Sequence, residues 1–128
     1  MDCVTTNEGK NMNNAAEAKT LAAIHHGGVY TDAQRDRLEL ILDAEGESIA
    51  HSHIEAVENM VATGGHTLSD LVGTLACGYD SAVEVCGEFG IDIKNLFVLE
   101  VIMTAFDFTA NEWALKTYGV AQWDNIDR

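Results

Sequence analysis

Glu47, His51 and Glu55 recur at four-residue steps, with Asp43 four residues before them and Glu58 three residues after. On a helix this spacing gathers all five side chains on one side. An imidazole between carboxylates can offer two or three ligands to a divalent cation, and a neighbouring helix could complete the set. His53 falls instead near the centre of the apolar side of the same segment. There it is expected to be a core histidine, bonded through one ring nitrogen to a buried carbonyl or acid. His25, His26 and His66 lie beside glycine pairs, where helix ends explain them.

The enzymatic readings of these groups are incomplete. Di-iron helical bundles use Glu-x-x-His, whereas Glu47 and His51 are separated by three residues. The all-α nucleotide pyrophosphohydrolases hold magnesium with Glu-x-x-Glu and a later Glu-x-x-Asp. Glu55-Ala56-Val57-Glu58 matches the first half, but Glu84 leads to Gly87 and Glu88 reaches Asp92 only at the fourth residue. A phosphate substrate would also call for Lys or Arg, which this region lacks. No G-x-S-x-G elbow, P-loop or dinucleotide fingerprint occurs. The expectation is a protein that is not an enzyme, with no catalytic residue, metal site or cofactor. A small helical metal- or nucleotide-dependent hydrolase is the alternative.

Charge is the feature that stands out. Seven Lys and Arg oppose 21 Asp and Glu, for a net charge of −14 over 128 residues. Between Arg37 and Lys94 lie 56 residues with no Lys or Arg and eleven acids: Glu39, Asp43, Glu45, Glu47, Glu55, Glu58, Asp70, Asp80, Glu84, Glu88 and Asp92. Such a balance excludes direct binding to nucleic acid or to an anionic membrane, because no cation cluster is present to displace counterions. It also excludes a helix-turn-helix reader across Ser81 to Phe97, whose second helix would hold Lys94 among acids. A solvated acidic surface, or a halophilic origin, would account for part of the acidity. Like charges at i,i+4 nonetheless repel by a few tenths of a kcal/mol per pair. A row sustained without lysines therefore points to a compensating encounter with a basic surface.

In size, acidity, absence of catalytic motifs and the row Asp43, Glu47, Glu55 and Glu58, the chain resembles the small acidic helical proteins that phages and plasmids deploy against host defence, of the anti-restriction and anti-CRISPR type. The resemblance is one of type and covers no alignable motif. It implies stoichiometric binding to a host nuclease or CRISPR effector in the channel where nucleic acid would lie, within the host cytoplasm.

The elements that must carry these residues are helical. Apolar residues make up 47% of the chain and charged residues 22%, enough for a packed core. Residues 1–13 are polar and read as a flexible arm, and 14–128 as the helical domain. An Ala-rich helix from Asn14 should stop at Gly27-Gly28. Thr31 to Gln34 is a capping box opening a long helix to about Ala62, with Gly46 at a close helix approach or a bend. Further boxes at Thr67 to Asp70 and Ser81 to Glu84 should open two short helices, the first ending near Gly78. Asp92 should cap a helix through Phe108, which Thr109 to Glu112 either continues or restarts. No period-two alternation is present. The fold expected is an all-α, single-domain bundle of about five to six helices.

The stretch from Leu96 to Phe108 is apolar round most of its circumference, with Glu100, Thr104, Asp107 and Asn111 as a narrow polar line. It should be the central helix of the bundle or bury a second face in a homodimer. An acidic homodimeric scaffold or subunit is thus a further alternative. It is too short and too charged to span a bilayer. Cys3, Cys77 and Cys86, odd in number, read as thiols in a reducing cytoplasm, the latter two as buried small hydrophobes. The partner surface expected from all this comprises Asp43, Glu47, Glu55 and Glu58 on the long helix, with Glu84, Glu88 and Asp92 as a second row if their helix packs alongside.

Overall fold

The computed structural model describes residues 12–91 and 96–128. The expected arm lies outside them except for its last two positions, as do Asp92 and Lys94. The elements run α1 (Met12–His26), α2 (Asp32–Thr63), α3 (Leu68–Ala76), α4 (Gly78–Glu88) and α5 (Leu96–Tyr118), followed by a 3-10 turn at Trp123–Asn125. No strand occurs among the described residues, and the fold is all-α as expected.

Local chemistry sets most of these limits. Thr31 sits in extended backbone (φ −88°, ψ 160°), its hydroxyl accepts the Gln34 N–H at 3.1 Å, and the Gln34 side chain accepts the Thr31 N–H at 2.9 Å. This reciprocal pair satisfies donors that the first turn of α2 would otherwise leave open. Gly64, with φ +80°, ends α2 and returns its N–H to the Met60 carbonyl at 3.0 Å. Thr67 and Asp70 repeat the capping box at α3, at 3.1 and 2.9 Å.

The third expected box does not form. Ser81 lies inside α4, which starts at Gly78 and is joined to α3 through Cys77 alone. With no loop between the helices, the Ser81 N–H already bonds back to the Cys77 carbonyl at 3.2 Å, and its side chain turns inward instead of capping. Gly78, expected near the end of α3, instead opens α4 against the ring of Phe106, which leaves no room for a side chain there.

The core is built on the pairing of α2 with α5. One cluster joins Leu38, Leu42, Ile49 and Ala50 of α2 to Ala82, Val85 and Cys86 of α4 and Val98, Ile102 and Phe106 of α5. A second joins Ile54 and Val57 to Leu71 and Leu75 of α3, Ala114 of α5 and Ile126. Full burial of each Leu, Ile or Phe contributes roughly 1.5–3 kcal/mol. Ile41 and Ile54 are buried as well because α2 is flanked by four other helices, while Val61 in its last turn is 55% exposed. α5 is continuous through Thr109 to Tyr118 and packs along α2 and against α4, with Leu96, Phe108 and Leu115 left in solvent; α2, rather than the expected Leu96 to Phe108 stretch, is the helix that meets the other four.

His53 is the expected core histidine, 5% exposed. Its Nδ1 lies 2.8 Å from the Ile49 carbonyl and its Nε2 3.4 Å from the Ser81 hydroxyl. Cys86 is buried, but Cys77 is disulfide-bonded, where two buried thiols were expected. A disulfide belongs to oxidising compartments and runs against the reducing one read from the sequence. No helix among the described residues is long and apolar enough to cross a membrane.

Candidate functional site: the acidic grooves of α2

Asp43, Glu47, His51, Glu55 and Glu58 are all exposed on α2, which runs unbroken past Gly46. At a rise of roughly 1.5 Å per residue the carboxylates from Asp43 to Glu58 cover about 22 Å. Three shallow grooves divide them. In the first, of about 300 Å³, Asp43 meets Glu39 from its own helix and Phe97, Glu100, Val101 and Thr104 from α5. Partial burial raises the Asp43 carboxyl above its ordinary value. In the second, of about 490 Å³, Glu47, His51, Ile54 and Glu58 face Phe108, Glu112, Trp113 and Lys116. The third lies on α2 itself, between Glu47, His51 and Glu55.

Neutralising contacts within this surface are sparse. His51 Nε2 stands 3.6 Å from Glu47, and Lys116 Nζ bonds Glu112 at 3.0 Å. Among the described residues, the remaining Arg ion pairs lie elsewhere. Arg37 holds Glu17 through two bonds of 2.7 and 2.9 Å, which lowers the Glu17 carboxyl and ties α1 to α2, and Arg35 reaches Asp36 at 3.8 Å. Neither touches Asp43, Glu47, Glu55 or Glu58.

The structure therefore sets Asp43, Glu47 and Glu58 in grooves shared with α5, while Glu55 lines only the groove on α2 itself. It does not add the expected second row to those grooves. Glu84 and Glu88 are exposed on α4, which packs through Ala82, Val85 and Cys86 and lines none of these three grooves, and Asp92 lies outside the described residues. The acids that do join are Glu39 of α2 and Glu100 and Glu112 of α5. Glu100 belonged to the polar line of the Leu96 to Phe108 stretch. Gly46 was the signal that could have placed that line against α2, since a glycine in an apolar stripe marks where a partner helix approaches.

Glu47, His51, Glu55 and Glu58 were also the ligands of the metal reading. Among the described residues, no three His, Cys, Asp or Glu side chains converge as a metal-holding group. Compared with known proteins, the chain matches no family, no curated protein and no solved structure.

Proposed function

We propose that this chain is a non-enzymatic binding protein whose acidic face, centred on Asp43, Glu47, Glu55 and Glu58, docks on a basic nucleic-acid-binding protein and inhibits it. The partner class is a host nuclease or CRISPR effector of the kind that phage counter-defence proteins meet. What supports this reading is the exposure of those four carboxylates along one uninterrupted helix, with no Lys or Arg of the described residues ion-paired to any of them.

A surface of this kind raises the encounter rate with a positive cleft and selects against acidic partners. Mimicry of nucleic acid is partial. Four carboxylates over about 22 Å stand on average about 7 Å apart, against roughly 3.4 Å between phosphates along a strand. Charge supplies attraction and orientation, and the fit must come from the shape of the α2 and α5 face. The reading puts the encounter in the cytoplasm, so binding should be the same with Cys77 reduced.

The test is capture from host lysate at low salt, elution by rising salt, and assay of the eluted protein's nucleic-acid cleavage or binding. Wild-type protein should inhibit it, and the double reversal Glu47→Lys, Glu55→Lys should weaken inhibition by about 1 kcal/mol or more. Inhibition unchanged by that double reversal would move the contact off α2.

A further inference from the structure

The second groove, between α2 and α5, combines charge with an exposed aromatic ring. Phe108 is 71% exposed, although Phe106, two residues earlier on α5, is fully buried. Phe108, half-buried Trp113 and buried Ile54 give the groove apolar walls, and Glu47, Glu58 and Glu112 give it carboxylates. Lys116 is engaged by Glu112 at 3.0 Å and His51 stands 3.6 Å from Glu47, which leaves Glu58 as the carboxylate of the groove with no ion pair among the described residues.

These two properties together narrow the occupant. An anion is repelled by Glu47 and Glu58, the carboxylates that Lys116 does not pair. An uncharged apolar segment would strip water from them without offering a partner. A second copy of this chain would bring a further net charge of −14 to the pair. A lysine ammonium answers the charge but is compact and strongly hydrated. A guanidinium is planar, weakly hydrated on its faces and cationic at its edge, so it can lie on an aromatic ring while its N–H groups fork onto a carboxylate.

We propose that the groove at Phe108 takes an arginine side chain of the basic partner, stacked on the Phe108 ring and paired with Glu47 or Glu58. The proposal rests on the acidic-face reading above and adds the anchor that makes the contact specific to arginine. In binding surfaces a single buried aromatic or arginine contact of this kind often carries more of the affinity than the surrounding charges.

The test uses the whole protein and two synthetic alanine-based helical peptides, one bearing arginine at every fourth residue and the other lysine at the same positions. Binding is followed by tryptophan fluorescence and by NMR of the aromatic rings. The arginine peptide should bind more tightly and should shift the Phe108 and Trp113 resonances. Phe108→Leu keeps an apolar side chain but removes the aromatic face. It should weaken the arginine peptide roughly tenfold and leave the lysine peptide nearly unchanged. Because Phe108 is largely in solvent, circular dichroism of this variant should match wild type.

Equal binding of both peptides, or an arginine peptide indifferent to Phe108→Leu, would overturn the anchor. If Glu47→Lys, Glu55→Lys still weakened both peptides, the acidic-face reading would stand without it. Failure of both peptides to bind would remove the anchor and the acidic-face reading together. A dimer at micromolar concentration whose interface covers Phe108 would assign the ring to self-association and overturn the proposal.

Discussion

Gly46 of α2 lies against the Ile102 carbonyl of α5 so closely that a methyl group in place of its hydrogen would overlap the carbonyl oxygen and come within 2.7 Å of the Ala105 Cβ. This contact decides how near the two longest helices stand, and hence how the acidic row of α2 meets Glu100 and Glu112. Helix propensity alone favours alanine over glycine by about 1 kcal/mol. Here the opposing atoms are backbone, and no side-chain rotation can clear them. Gly46→Ala should therefore destabilise the fold by about 1–3 kcal/mol, as overpacking generally does. The midpoint of urea unfolding measures it, and an unchanged or raised midpoint would contradict this packing.

His53 and Ser81 offer a second measurement. With Nδ1–H donating to the Ile49 carbonyl, Nε2 carries the lone pair and accepts from the Ser81 hydroxyl. His53→Leu fills similar space but leaves that buried hydroxyl without its acceptor, a loss of about 1–3 kcal/mol. Ser81→Ala added to it should recover part of the loss, because the orphaned group is gone. A double-mutant cycle in urea reads the coupling, and simple additivity would mean the two side chains do not interact.

What the sequence made legible here was local. The Thr31 and Thr67 boxes need only side chains three residues apart, and both form. The stop after α2 needs only Gly64. Ser81 failed because its fate was decided by α3 ending one residue before α4, which brought it beneath His53 from 28 residues away. Asp107 and Asn111 read only as a polar line, yet they receive the Trp123 indole N–H at 3.0 Å and the Trp123 backbone N–H at 2.8 Å. The grooves were hidden for the same reason. The acidic side of α2 follows from periodicity, but its pairing with Glu100, Phe108 and Glu112 depends on where α5 crosses.

The Thr67 cap has both a mutational and a pH signature. Thr67→Ala removes the acceptor for the Asp70 N–H and should cost about 1 kcal/mol. Asp70 accepts the Thr67 backbone N–H, and this bond holds its carboxyl below the ordinary aspartate value. A carboxyl whose folded value is depressed contributes stability that is present above its unfolded value, near about pH 3.9. That contribution is lost as pH falls through the lower folded value. Acid unfolding should thus be less steep for Asp70→Asn than for wild type below about pH 4. Parallel acid titrations would place the cap's contribution elsewhere.

Glu55 separates the demands of folding from those of docking. It stands four residues from His51 and three from Glu58, and no Lys or Arg of the described residues pairs with it. In the isolated protein a lysine at this position would meet Glu58 across one turn and relieve repulsion along the row. Glu55→Lys should therefore raise stability by about 0.2–0.5 kcal/mol at low salt. The gain should shrink in 1 M salt, where screening reaches about 3 Å. The same substitution should slow association with a basic partner, because it removes negative potential from the docking face. Thermal unfolding at two salt concentrations checks the first half, and the association rate with the captured partner checks the second. A variant that is both more stable and equally fast to bind would show that the row serves the surface of the protein and no partner.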